Sequence, residues 1–156
     1  MDQMPVYILL LGAIPEAILM VWAGLLLVGV RPPVRKVLLT GVLLGLSSYF
    51  VRQYVDFGVH ALVNLMFFVI FIRIIFDVKT LTSILASLLA FVVVIMIEGP
   101  MVIFFEDSAI YLMSRDLTRL AFFLPHELTL AGIIYICYKK NISLVQELGS
   151  LGKFMR

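Results

Sequence analysis

The sequence predicts an all-α protein: an integral membrane bundle of about five transmembrane helices, N-terminus outside and C-terminus cytoplasmic. Three observations carry this. Of 156 residues, 63% are hydrophobic and 14% charged, against roughly 25% charged in an ordinary soluble domain. A soluble fold with this composition would present large apolar patches to water, whereas the same surface costs nothing against lipid. The apolar residues fall into five stretches near the ~20-residue length that crosses a hydrocarbon core. Finally, the basic residues divide unequally between the two ends of those stretches.

The five expected spans are Val6 to Val30, Val37 to Val55, Val59 to Phe76, Leu81 to Phe105 and Leu117 to Tyr138. Lipid offers no partner to a bare backbone, and the stretches do not alternate as barrel strands do, so each is expected to be helical. The first begins after Met1-Asp2-Gln3-Met4-Pro5, which has no cationic side chain, and it is too long for a signal peptide. Arg31-Pro32-Pro33 is expected to end it, because a residue before proline avoids helical angles. Asp56-Phe57-Gly58 and Asp77-Val78-Lys79 mark the next two joints. Glu106 to Asp116 is the longest joint, with room for a short amphipathic turn. Residues 1–138 thus read as the bundle and residues 139–156 as a short basic tail, with no room for a soluble catalytic domain.

Charge sets the expected orientation. Arg31, Arg35, Lys36, Arg73, Lys79, Lys139, Lys140, Lys153 and Arg156 fall on one side, and Arg52, Arg115 and Arg119 on the other. Cytoplasmic loops carry the excess of Lys and Arg, which puts the N-terminus out and the C-terminus in. The net charge of +2 gives no reason to expect nucleic acid as a partner. The Asn141-Ile142-Ser143 triplet matches a glycosylation acceptor but falls on the cytoplasmic side, so it is read as chance. The only cysteine, Cys137, excludes an internal disulfide. It reads as a small residue of an apolar helix, with palmitoylation the alternative.

Ionisable groups inside spans are costly and usually face the bundle interior. Glu16 sits ten residues into the first span, about 15 Å deep at 1.5 Å per residue. His126 and Glu127 lie at a similar depth in the fifth. His60 and Asn64 occupy the outer half of the third, and Glu98 the outer end of the fourth. Proline adjoins three of these sites, at Pro15-Glu16, Glu98-Gly99-Pro100 and Pro125-His126-Glu127. Proline removes a helical hydrogen bond and frees a carbonyl one turn earlier, which favours a polar pocket. One cavity, open to the outside and lined by Glu16, His60, Asn64, Glu98, His126 and Glu127, is therefore the expected ligand-binding site. The competing reading is a set of scattered structural pairs and interfacial groups, such as Arg52 with Asp56 four residues on. No paired ligand spacing of the His-x-x-x-His kind occurs, so neither a metal nor any other cofactor is expected. No Gly-x-Ser-x-Gly elbow or phosphate-binding glycine loop occurs either, so the chain is not expected to be an enzyme.

Two packing signals remain. Gly41-Val42-Leu43-Leu44-Gly45, and more weakly Ala13 with Ala17, allow close helix approach, here read as internal packing in preference to a dimer face. Tyr7, Tyr54, Tyr111 and Tyr138 fall near expected interfaces, while Trp22 does not. In the tail, Leu144, Leu148, Leu151 and Met155 form a short heptad-like stripe, weakened by Gly149 and Gly152. The tail either lies on the membrane with its cations toward lipid phosphates or pairs with a cytoplasmic or membrane protein.

Leu124-Pro125-His126-Glu127-Leu128 in the last span, followed by the basic stop Tyr138-Lys139-Lys140, together with the short-looped layout, resembles the N-terminal sensor region of multi-span bacterial histidine kinases of the accessory-gene-regulator type. The resemblance implies a sensor that recognises a small molecule or peptide from the outer side and signals through a cytoplasmic helix. The sequence departs from it in having neither a phosphoacceptor histidine in a cytoplasmic helix nor ATP-binding glycine boxes, so it implies a sensor-like module and not a kinase. A small transporter using the same carboxylates for proton or cation coupling, and a ligand-free scaffold subunit, are the alternatives.

Overall fold

The computed structural model describes residues 6–55, 59–104 and 116–140, with side chains for 6–55, 59–100 and 124–140. These residues form five long helices and, among the described residues, no strand. Helix α1 spans Val6–Leu27, α2 Val34–Tyr54, α3 Val59–Phe76, α4 Thr80–Phe104 and α5 Asp116–Lys140. The first four are long and apolar enough to cross a membrane, and α5 is 25 residues long. The protein is thus an all-helical bundle of membrane-spanning character. The expected joint at residues 105–115, the expected turn at 56–58 and the tail beyond Lys140 lie outside the described residues.

Helix boundaries follow local chemistry more closely than apolar counting allows. α1 ends at Leu27, three residues before the expected Val30. Gly29 takes a positive φ of 85°, and the Val30 and Gly29 amides donate to the carbonyls of Leu25 and Leu26, both at 2.9 Å. This crossed pair closes the last turn, and it needs a residue that tolerates left-handed angles. α2 starts at Val34, not Val37: Pro33 is extended (φ −69°, ψ 134°), and the polar Arg35 and Lys36 are simply the helix's first turn. At the α3–α4 joint Asp77 has φ 51°, a conformation that aspartate tolerates better than most residues. The Arg73 guanidinium donates to the Val78 carbonyl and clips this turn.

α1 is the hub. It packs against α2, α4 and α5, while α3 closes against α2 and α4. Its second half is sealed: Val21, Ala23 and Leu25 are fully buried. Small residues make this possible. α2 turns Val37, Thr40, Gly41, Leu44 and Gly45 inward, one face at helical spacing. A Cβ at Gly41 would sit 2.8 Å from the Ile18 nitrogen, and one at Gly45 3.1 Å from the Ile14 Cα, so the Gly-x-x-x-Gly pair serves internal packing. α4 presents Ser83, Ala86, Ser87 and Ala90, all fully buried, and a Cβ at Gly24 would lie 2.4 Å from the Ala86 carbonyl oxygen. In lipid, where helices gain little hydrophobic drive toward one another, such backbone-close packing is the main source of association. Trp22, unexplained by the aromatic-belt rule, meets Tyr138 of α5 edge-on at 6.1 Å. Leu62, Met66, Ile70 and Ile74 of α3 face outward, as a lipid-facing stripe should.

Gly24→Ala and Gly41→Ala are expected to lower stability by about 1–3 kcal/mol each, the cost of overpacking a filled contact. Gly99→Ala and Gly132→Ala meet nothing within 4 Å and should be neutral or slightly stabilising, since alanine is the better helix former. Unfolding of the four variants in mixed micelles checks this.

Candidate functional site

The polar site forms at the end of the bundle opposite the basic turns, where α1, α4 and α5 meet. α1 arrives there through an irregular turn. Leu9–Ala13 is a π-helical segment, in which the Ile14 amide donates to the Leu9 carbonyl. Pro15 follows, cannot donate at all, and opens the regular helix Ile14–Leu27 near its first position. Glu16 is therefore the first residue able to project a carboxylate from a settled helical turn.

α5 supplies the imidazole. Among the described side chains of α5, His126, Leu130 and Cys137 are buried, at the spacing of a single helix face, so a histidine occupies a place in the stripe that otherwise carries apolar contacts to α1. Pro125 directly precedes it and lies inside the helix, and the Thr129 hydroxyl donates to the Pro125 carbonyl at 2.8 Å. α4 supplies Glu98 one residue before Gly99 and two before Pro100, also within its helix. Each proline lacks the N–H that a carbonyl four residues earlier would accept, so all three site helices are locally weakened at the same level.

His126 is only 1% exposed and stands between two carboxylates: its Nε2 is 3.4 Å from Glu16 Oε1, and its Nδ1 is 3.8 Å from Glu98 Oε1. The two carboxylates differ in access, Glu16 being 16% exposed and Glu98 49%. One donor atom from each of the three residues falls within 4.8 Å of the other two. Glu127, on the same turn as His126, acts electrostatically on His126 and Glu16, and its Oε1 is buried with no hydrogen-bond partner among the described residues. Arg52 near the end of α2 acts electrostatically on Glu98.

Of the six expected residues, four are brought together. Glu16, Glu98 and His126 meet, with Glu127 beside them. Asn64 instead donates through Nδ2 to Ser48 Oγ at 3.2 Å, tying α3 to α2, and His60 lies one helical turn from it on α3. α3 itself packs on α2 and α4. Arg52 is the charged neighbour that sequence reasoning assigned only to Asp56. Its place at the outer end of α2, level with Glu98, was the available signal.

No family model, curated protein or solved structure matches this chain.

Because His126 and Glu16 act as one unit, Glu16→Gln and His126→Asn are each expected to lower stability by roughly 1–3 kcal/mol, the cost of leaving a buried polar partner unmet. The double variant should lose less than the two combined, by at least about 0.5 kcal/mol. Pairing Glu16→Gln with Asn64→Leu should instead be additive within about 0.5 kcal/mol, as befits separate interfaces. Mixed-micelle unfolding of the two cycles reads both results.

Proposed function

We propose that this protein is a multi-pass cell-membrane recognition module of sensor type, without catalytic chemistry of its own. Its recognition centre is Glu16–His126–Glu98, which takes a positively charged species from the outer side. The observation that carries this reading is the buried His126 imidazole held between two carboxylates from two other helices. Inside a bilayer such a grouping is costly unless it serves a ligand or a proton. Imidazole changes charge near neutral pH, and Glu98, half exposed, offers a way in.

A transporter would use the same groups but also needs a path through the other half of the bundle. That half argues against it: Val21, Ala23 and Leu25 are fully buried, and Gly24 lies against the α4 backbone. Rigid packing there suits the relay of a helix displacement better than the passage of an ion. α5 runs from His126 to Lys139 and Lys140, so a shift at the centre would reach whatever residues 139–156 contact, either membrane surface or a protein partner. The short-looped layout and the Leu124–Leu128 segment accord with a sensor of the accessory-gene-regulator type.

Trp22, the only tryptophan, reports the α1–α5 contact through Tyr138. In reconstituted vesicles, acidifying the outer side should change Trp22 emission in the native protein and leave it unchanged in Glu16→Gln and His126→Asn. A pH-sensitive dye trapped in the same vesicles should record no proton entry above that of protein-free vesicles. Proton entry abolished by Glu16→Gln would overturn the sensor reading in favour of transport.

A further inference from the structure

We propose that the centre formed by Glu16, Glu98 and His126 binds a divalent transition-metal cation of the zinc type, with Glu127 as a supporting carboxylate. The inference rests on the recognition reading above and names its ligand.

The geometry comes first. Three helices each contribute one donor, and the donor atoms lie within 4.8 Å of one another. An ion with bonds of about 2.1 Å to nitrogen and oxygen in tetrahedral array holds its donors about 3.4 Å apart. His126 Nε2 and Glu16 Oε1 are 3.4 Å apart, so these two need hardly move. Glu98 is the flexible member: its Oε1 faces Nδ1 at 3.8 Å, and, being half exposed, it joins Glu16 on the Nε2 side by a side-chain rotation.

The donor chemistry selects the ion. Calcium and magnesium favour all-oxygen shells, whereas a mixed imidazole and carboxylate set suits zinc and its neighbours. Charge points the same way. Glu16 and Glu98 bring two carboxylates to one imidazole, and a divalent cation offsets them more fully than a single proton on His126 would. The buried Glu127 oxygen, without a hydrogen-bond partner among the described residues, adds a further carboxylate beside the centre.

The test uses the full chain, purified without a histidine tag, stripped with chelator and placed in lipid nanodiscs. Calorimetric titration with Zn²⁺ should give one saturable site per chain that excess Mg²⁺ does not occupy. Glu16→Gln and His126→Asn should each weaken it by more than about 10-fold. Glu98→Gln, at a half-exposed position, should fold normally and still weaken binding, which guards against loss through misfolding of the other two. No saturable site, or a site of equal affinity in Glu98→Gln and native protein, overturns the proposal. If Zn²⁺ fails to bind while the acid-induced Trp22 change persists, the metal is wrong and the recognition centre stands. If both are absent, both readings fall.

Discussion

The whole arrangement depends on how closely other helices approach α1. Lipid competes with every helix–helix contact on nearly equal terms, so only contacts that lipid chains cannot match hold a bundle together. Gly41 and Gly45 let α2 settle on the backbone of Ile14 and Ile18, and Gly24 lets α1 settle on the Ala86 carbonyl of α4. These contacts fix α1 in place over most of its length. Only then can Glu16 and Glu98, on antiparallel neighbours, stand level with each other and with His126 on the parallel α5.

The packing and the polar site divide the bundle lengthwise. Toward the basic end, small residues give dense, dry contact: the Ser83, Ala86, Ser87 and Ala90 stripe has no exposure at all. Two hydroxyls there are returned to their own helices, Ser83 to the Thr80 carbonyl at 2.8 Å and Thr40 to the Lys36 carbonyl at 2.7 Å, so they cost little in lipid, whereas Ser87 Oγ is buried with no hydrogen-bond partner among the described residues. Toward the other end, prolines replace glycines as the distinguishing residues, backbone hydrogen bonding loosens, and charged side chains enter.

Much of the fold was legible because lipid imposes simple rules. Apolar length located all five helices, and Val59–Phe76 is bounded in the structure as in the sequence. What was misjudged was governed by single residues: Gly29 stops α1 early through a reversed turn, and Arg35 and Lys36 are helical although polar. The α4 stripe, Ser83 with Ser87 and Ala86 with Ala90, has the same four-residue small-residue spacing as Gly41 with Gly45. For the site, depth counting placed Glu16 and His126 at one level, and proline neighbours flagged Glu98. Depth says nothing of azimuth, however, and azimuth turns Asn64 to Ser48 of α2. The ligand spacing that marks many metal sites was absent because each donor comes from a different helix. Trp22 had no sequence rationale because its partner, Tyr138, is brought to it only by the parallel packing of α1 and α5.

The π-helical turn at Leu9–Ala13 has an implication for the chain's tolerance of length changes. A regular helix advances about 100° of rotation with each residue, so inserting or deleting one residue normally spins everything on one side of the change to a new face. Where five residues already share a widened turn, the loss of one can be absorbed by tightening that turn to ordinary pitch. Glu16 would then keep its bearing toward His126, and the residues preceding the turn, Tyr7 among them, would keep theirs. The register of the buried charges is in this way insulated from the segment that leads into it.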